Sequence, residues 1–380
     1  MLRMVPLPRF AGEETGACCF PPPCSEAKRG RGTTRRVVEG ARRSALGYLG
    51  DEPMSRTQGA GRAAAVAVFL AAVFVAIPWA IASTGRTDLY YTLSSVALLA
   101  IASGGVWLTF YIGRINIGQG AWALAGGYAS AVLVATYGWS FWLSLPAAGL
   151  ICAFASVLVG LPILRLRGVY FSMVTLVLTE VARLTALALP ITNGARGITS
   201  IPTPGPIRLF GLTIVPAFDS LAEPNRAFYF LSAAMMTLCF AGLWRLVHSR
   251  LGQLFAALRQ NEDLASSMGV NVPLLRVVAY AISSFLGGVG GAIFVAIAQS
   301  IYPSSFTIND SVNFMLNCFL GGLGFVFGPM LGTLVLYFGW DLLFQTGPYQ
   351  LLIYSGSMIL LMLVLPNGIL SLLNLRRRAP

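Results

Sequence analysis

The sequence predicts an all-α protein, a polytopic transmembrane helix bundle of about eight full spans plus a re-entrant, broken helix pair. Three observations predict it. Hydrophobic residues make up 56% of the 380-residue chain and charged residues 11%, whereas soluble domains carry about 25% charged residues. The apolar residues fall in long uncharged runs, and roughly 20 such residues cross a hydrocarbon core of ~30 Å as helix. The arginines stand at the ends of these runs and form no continuous basic stripe. The net charge of +12 therefore points to membrane topology and lipid contact, not to nucleic acid.

Residues 1–53 do not match the rest. They are rich in Arg, Gly and Pro, contain PPPC and RGRGTTRR, and lack a periodic apolar face. They read as a disordered stretch or as an over-extended start, with Met54 the natural initiator. The transmembrane domain is expected over residues 54–380. Cys18, Cys19 and Cys24 lie in the first part without partners at zinc spacing, and Cys152, Cys239 and Cys318 lie inside apolar runs, where cysteine behaves as a small apolar residue. No metal site is expected.

The expected spans are near 63–82, 89–111, 117–136, 141–164, 169–191, 227–247, 274–299 and 349–371. The first also fits a signal peptide, since Ala80-Ile81-Ala82 matches A-x-A after a basic flank. Arg56, Arg62, Arg114, Arg165, Arg167, Arg245, His248, Arg250 and Arg259 fall on one side of this arrangement, which the excess of positive charge marks as cytoplasmic. Both termini then lie inside, and the loop 192–226 lies outside.

The stretch 311–340 conflicts with that parity if counted as one crossing, because Arg376, Arg377 and Arg378 would end up outside. Its centre is GGLG followed by GP. About a dozen residues before that break reach only ~18 Å as helix, short of the ~30 Å core. A broken pair returning to the outer side restores the parity. Such backbone is tolerated at membrane depth only beside protein or water, so Gly321, Gly322 and Gly324 are candidates for the translocation path.

Catalytic equipment is missing from the sequence. There is one histidine, His248, and no G-x-S-x-G or H-E-x-x-H, so no catalytic residues are expected. Lys28 is the only lysine, which rules out a P-loop G-x-x-x-x-G-K-[ST] in the membrane part. If ATP powers this protein, another chain binds it. Glu180, with Arg183 three residues on, is the exceptional carboxylate within an apolar run. The two neighbour each other on a helix and read equally as a locking pair or as part of a substrate path. One isolated carboxylate is thin equipment for an ion-driven carrier or channel, the alternative from another class. Gly287 and Gly291 form G-x-x-x-G, a close-packing pattern, and Gln119 is a polar residue in the small-residue run GQGAWALAGGYAS.

The segment SRLGQLFAALRQNEDLASSMGVN (249–271) is polar between two apolar runs. Ser249 is a candidate N-cap, LFAALRQ contains good helix formers, and Gly269 with Pro273 beyond it ends a helix. One or two short helices outside the bilayer are expected, presenting Arg259, Glu262 and Asp263.

From Met54 onward the chain resembles the permease subunits of branched-chain amino acid ABC importers, of the LivM type. The resemblance rests on GQGAWALAGGYAS (118–130), RLRGVYFSMVTLVLTEVARL (165–184), TNGARGITSIP (192–202), the 249–272 stretch, YPSSFT (302–307), GGLGFVFGP (321–329) and LPNGIL (365–370), in that order. It implies an ATPase-coupling loop with an EAA-x-x-x-G-like element at Asp263, Leu264, Ala265 and Gly269, preceded by Glu262 and flanked by Arg259. It places Gln119, Glu180 and Arg183 at positions where the family carries polar and charged groups. It implies ATP and Mg on separate ATP-binding subunits and no cofactor on this chain. A second homologous permease subunit and an extracytoplasmic substrate-binding protein are the further implied partners, in a bacterial inner membrane. Branched-chain amino acids are the implied cargo, with urea or short-chain amides as the alternative.

Overall fold

The computed structural model of the chain describes residues 71–85, 87–166, 168–209, 212–215, 218, 223–343, 349–364 and 368–370. The expectations for residues 1–53 and for Arg376, Arg377 and Arg378 lie outside these. A π-helical turn over Ala72–Ala76 leads into α1 (Ile77–Thr84). There follow α2 (Asp88–Tyr111), α3 (Gln119–Ala135), α4 (Phe141–Ile163), α5 (Val169–Ala188) and α6 (Pro224–Val247). The polar stretch forms α7 (Arg250–Gln260) and α8 (Glu262–Ser267). The chain continues as α9 (Val272–Ala298), α10 (Ile308–Gly321), α11 (Gly328–Leu343) and α12 (Gln350–Val364).

Five of these helices, α2, α4, α5, α6 and α9, are long and apolar enough to cross a membrane. The expected count of eight full spans is not confirmed among the described residues: α3 keeps to its expected run within two residues at each end but is only 17 residues long, and the runs of α1 and α12 extend into residues outside the described ones. The start of α3 lies deep in the bundle. A Cβ built on Gly105 would meet the Gln119 amide and the Ser283 carbonyl, and Gly105 sits about 9 Å along the axis before the end of α2. Residues 112–118 therefore fold back into the bundle, and α3 starts below the level at which α2 ends.

α9 is the hub, packing against α2, α3 and α4. Its small residues allow backbone-to-backbone contact, the way helices associate where no water drives them together. Gly288 lies against the backbone of Gly126, and Gly291 against the carbonyl of Ala123. Around this seam Trp107, Leu108, Leu124, Ile293 and Phe314 are fully buried.

α10 and α11 form an antiparallel hairpin. Gly332 packs on the Asn317 carbonyl and Gly321 on the Gly328 backbone, so positions rise on one helix as they fall on the other. Asp310 caps the start, accepting from the Thr307 N–H at 2.8 Å and its hydroxyl at 2.7 Å. The break comes at Gly322, whose φ of 107° favours glycine. At the tip, the indole of Trp107 donates to the Leu323 carbonyl at 3.0 Å.

At the opposite end of α2, Ile198 and Ile301 pair as an isolated bridge, and the indole of Trp142 donates to the Gly205 carbonyl at 2.9 Å. The loop between α5 and α6 adds a short antiparallel hairpin, β1 (Ile207–Leu209) with β2 (Leu212–Val215), to an otherwise helical chain, as the all-α expectation has it. The prolines of TSIPTPGP exclude helix there, and β-branched Ile207, Thr213, Ile214 and Val215 favour strand.

Candidate functional site

Two regions carry polar chemistry, the α7–α8 segment and the front of α3. In the first, Ser249 caps α7, its hydroxyl accepting from the Gly252 N–H at 3.4 Å. Asn261, which the sequence reading passed over, caps α8 by accepting from the Asp263 and Leu264 N–H groups at 3.0 and 3.1 Å. α8 ends in a Schellman arrangement. Gly269 N–H donates to the Ser266 carbonyl and Val270 N–H to that of Ala265, with Gly269 at φ 83°. These caps hold a helix of barely two turns that would not persist alone.

The helix has an inner and an outer side. Ala265 is buried, while Leu264 is 62% and Met268 78% exposed, and Asp263, Gly269 and Arg259 are also exposed. Glu262 behaves differently from the expectation that it faces outward. Its carboxylate accepts from Arg114 at 3.3 Å and from Arg276, with the two guanidinium side chains only 4% and 10% exposed. Arg114 also donates to the Leu166 carbonyl and lies over the Phe171 ring at 5.9 Å. Buried charges persist only when paired in this way.

The second region begins where the chain turns back after α2. The Ser172 hydroxyl donates to the Ile115 carbonyl at 2.9 Å, and Ile117 N–H donates to Thr175 at 3.2 Å. Asn116, fully buried, accepts from the Gly118 N–H at 2.9 Å. Gln119, also fully buried, donates to the Ser283 carbonyl at 2.9 Å and accepts from the Ser283 hydroxyl at 3.1 Å. Gly120 N–H donates to Ser311 at 3.0 Å, which in turn pairs with Thr179 at 3.1 Å. The first backbone amides of a helix need acceptors away from water; here Thr175 of α5, the local Asn116 and Ser311 of α10 supply them, while α9 satisfies the Gln119 side chain.

α5 joins the two regions. Its buried stripe is Phe171, Ser172, Thr175, Thr179 and Ala186. At the border of that stripe the guanidinium of Arg183 donates to both carboxylate oxygens of Glu180 at 3.0 Å through Nε, and the two side chains are 30% and 37% exposed. Of the five long helices, α5 is the least covered by its own chain.

The glycines divide by role. Gly287 and Gly291 sit in the α3–α9 seam, Gly321 and Gly322 are buried in the α10–α11 hairpin, and Gly324 is exposed at its tip. Sequence reasoning missed Asn116, Thr175, Thr179, Arg276, Ser283 and Ser311, and took Arg114 for a flanking charge. The run RINIGQG held a signal, since two polar side chains precede a helix of small residues. No group of three or more metal-ligating side chains occurs among the described residues.

Residues 89–365 match the family model described as the permease component of branched-chain amino acid transport systems. The chain is 32% identical over 324 residues to the high-affinity branched-chain amino acid transport system permease protein LivM of Escherichia coli K12, covering 80% of this chain and 74% of that one. It is 24% identical over 287 residues to the probable branched-chain amino acid transport permease protein LivH of Methanocaldococcus jannaschii, covering 72% and 88%. Over 139 residues it is 29% identical to the ribose import permease protein RbsC of E. coli K12, covering 34% and 43%. No solved structure matches.

Proposed function

This chain belongs to the family of permease components of branched-chain amino acid transport systems, and from that premise we propose that it forms the translocation path of an ABC importer working by alternating access. It is a permease and not an enzyme. ATP-binding subunits, holding ATP and Mg, dock on the face that carries α7 and α8. That face is the cytoplasmic one, as are both termini, in a bacterial inner membrane. An extracytoplasmic binding protein delivers cargo to the end where Ile198 meets Ile301. A second, homologous permease completes the path, and likeness to relatives named both LivM and LivH supports such a pair. Glu180 and Arg183 on the sparsely covered α5, with Gln119 behind them, border the path.

The observation that carries this reading is α8. A short, capped helix outside the bundle exposes Leu264 and Met268, and exposed apolar side chains rimmed by charge mark a protein-binding surface. Leu264→Asp with Met268→Asp is expected to leave the chain in the membrane but to lose the ATP-binding subunits on co-purification. Retention of those subunits refutes the docking role.

Branched-chain amino acids are the proposed cargo, as in the name of the family. The polar groups at the front of α3 are satisfied by one another and read out no substrate side chain. A urea or short-amide cargo is the alternative, and calorimetry on the binding protein that co-purifies with the assembled complex distinguishes them by the ligand that gives a binding heat.

A further inference from the structure

Glu262 is out of place on a docking surface. Its neighbours Asp263, Leu264 and Met268 are exposed, yet its carboxylate is turned inward between Arg114 and Arg276. Arg276 belongs to the first turns of α9. Arg114 belongs to the 112–118 segment, 148 residues before its partner in the chain. Each guanidinium holds one carboxylate oxygen of Glu262, and the planar fork of Arg114 spans from that oxygen to the Leu166 carbonyl; pairs this sheltered are screened little by salt.

We propose that Glu262, Arg114 and Arg276 form an ionic strut that makes α8, the 112–118 segment and the start of α9 move as one body. The strut rests on the docking role of α7 and α8 and says where a push on them goes. Arg114 is held to the Leu166 carbonyl and to the Phe171 ring. The segment behind it is fastened to α5 through Ser172 and Thr175, and it runs directly into Asn116 and Gln119. Displacement of α8 is then carried through these contacts to the front of α3 and to the helix bearing Glu180 and Arg183. Glu262, Arg114 and Arg276 are positioning residues that touch neither ATP nor cargo. Contiguity alone does not establish coupling, so the measured quantity is the ratio of transport to hydrolysis.

The test uses the whole complex, with its ATP-binding subunits, companion permease and binding protein, in proteoliposomes. Glu262→Gln is expected to keep the ATP-binding subunits bound and hydrolysing, while cargo taken up per ATP falls tenfold or more. Stimulation of hydrolysis by loaded binding protein is lost with it. Arg114→Lys keeps the charge, so the bundle folds, but loses the fork, and a several-fold fall in the same ratio is expected. A merely structural role lowers uptake and hydrolysis together and leaves the ratio unchanged. An unchanged ratio in both variants overturns the proposal. Loss of the ATP-binding subunits from Glu262→Gln also overturns it, making Glu262 a docking contact and leaving the docking role intact. Failure of the docking role itself is read separately, on Leu264→Asp with Met268→Asp.

Discussion

Gly291 of α9 lies so close to the carbonyl oxygen of Ala123 in α3 that a Cβ there would overlap it. The two helices touch backbone to backbone, and neither can yield without moving the hub of the bundle. Gly291→Ala is expected to destabilise the chain by about 1–3 kcal/mol, the usual cost of overpacking, read as a lowered melting temperature in detergent. Gly242→Ala is the control. No atom lies within 4 Å of its added Cβ, and in a helix interior the change stabilises by up to about 1 kcal/mol.

Gln119→Leu is expected to cost about 1–3 kcal/mol, because the Ser283 carbonyl and the Asn116 amide each lose a buried partner. Gln119→Glu adds a charge at a fully buried position and is expected to be worse, reducing the amount of folded protein recovered from the membrane. Recovery equal to that of the unaltered chain would place Gln119 in a wet and forgiving site.

Asn261→Ala removes the cap of α8 and is expected to cost about 1 kcal/mol locally, enough to fray a six-residue helix. Global melting should barely change, while amide exchange over 262–268 accelerates and the affinity for the ATP-binding subunits drops several-fold. Slow exchange across that stretch in the variant would show that packing of Ala265, not the cap, holds the helix.

Glu180 and Arg183 test the path. Glu180→Gln alone leaves an unpaired guanidinium on a transmembrane helix, which is costly. Paired with Arg183→Gln, both charges disappear together, and the melting temperature should return close to that of the unaltered chain. Uptake in the double variant is nonetheless expected to fall at least several-fold if the pair borders the path. Full uptake by the double variant assigns the pair to helix packing alone.

Long helices were legible because uniform apolarity leaves few other readings. α2 through α6 and α9 begin and end within about three residues of the expected runs. The α7–α8 segment was legible through Ser249 and Gly269, whose capping chemistry is local. What escaped was depth. Arg114 follows an apolar run just as a flanking charge does, and its burial depends on Glu262 and Phe171, distant in sequence. Gln119 in a small-residue run gives no sign that the helix starts there because Gly105, Ser283 and Ser311 receive it. Glu262 looked like its neighbours Asp263 and Arg259, and only the positions of two arginines outside the segment turn it inward. Local signals name the elements, but long-range partners set which side chains are inside them.

The front of α3 has a consequence for how the protein comes to be. Gln119 and Gly120 obtain their acceptors from Ser283 and Ser311, residues that a ribosome adds only after five further helices have emerged. Until then the exposed amides at the head of α3 face either lipid, which does not satisfy them, or the wet interface. The helix is therefore expected to wait near the membrane surface and to reach its final depth when α9 and α10 arrive. Insertion and packing are then separate events, and a chain truncated before Ser283 is expected to leave the head of α3 accessible to a water-soluble thiol or amide probe.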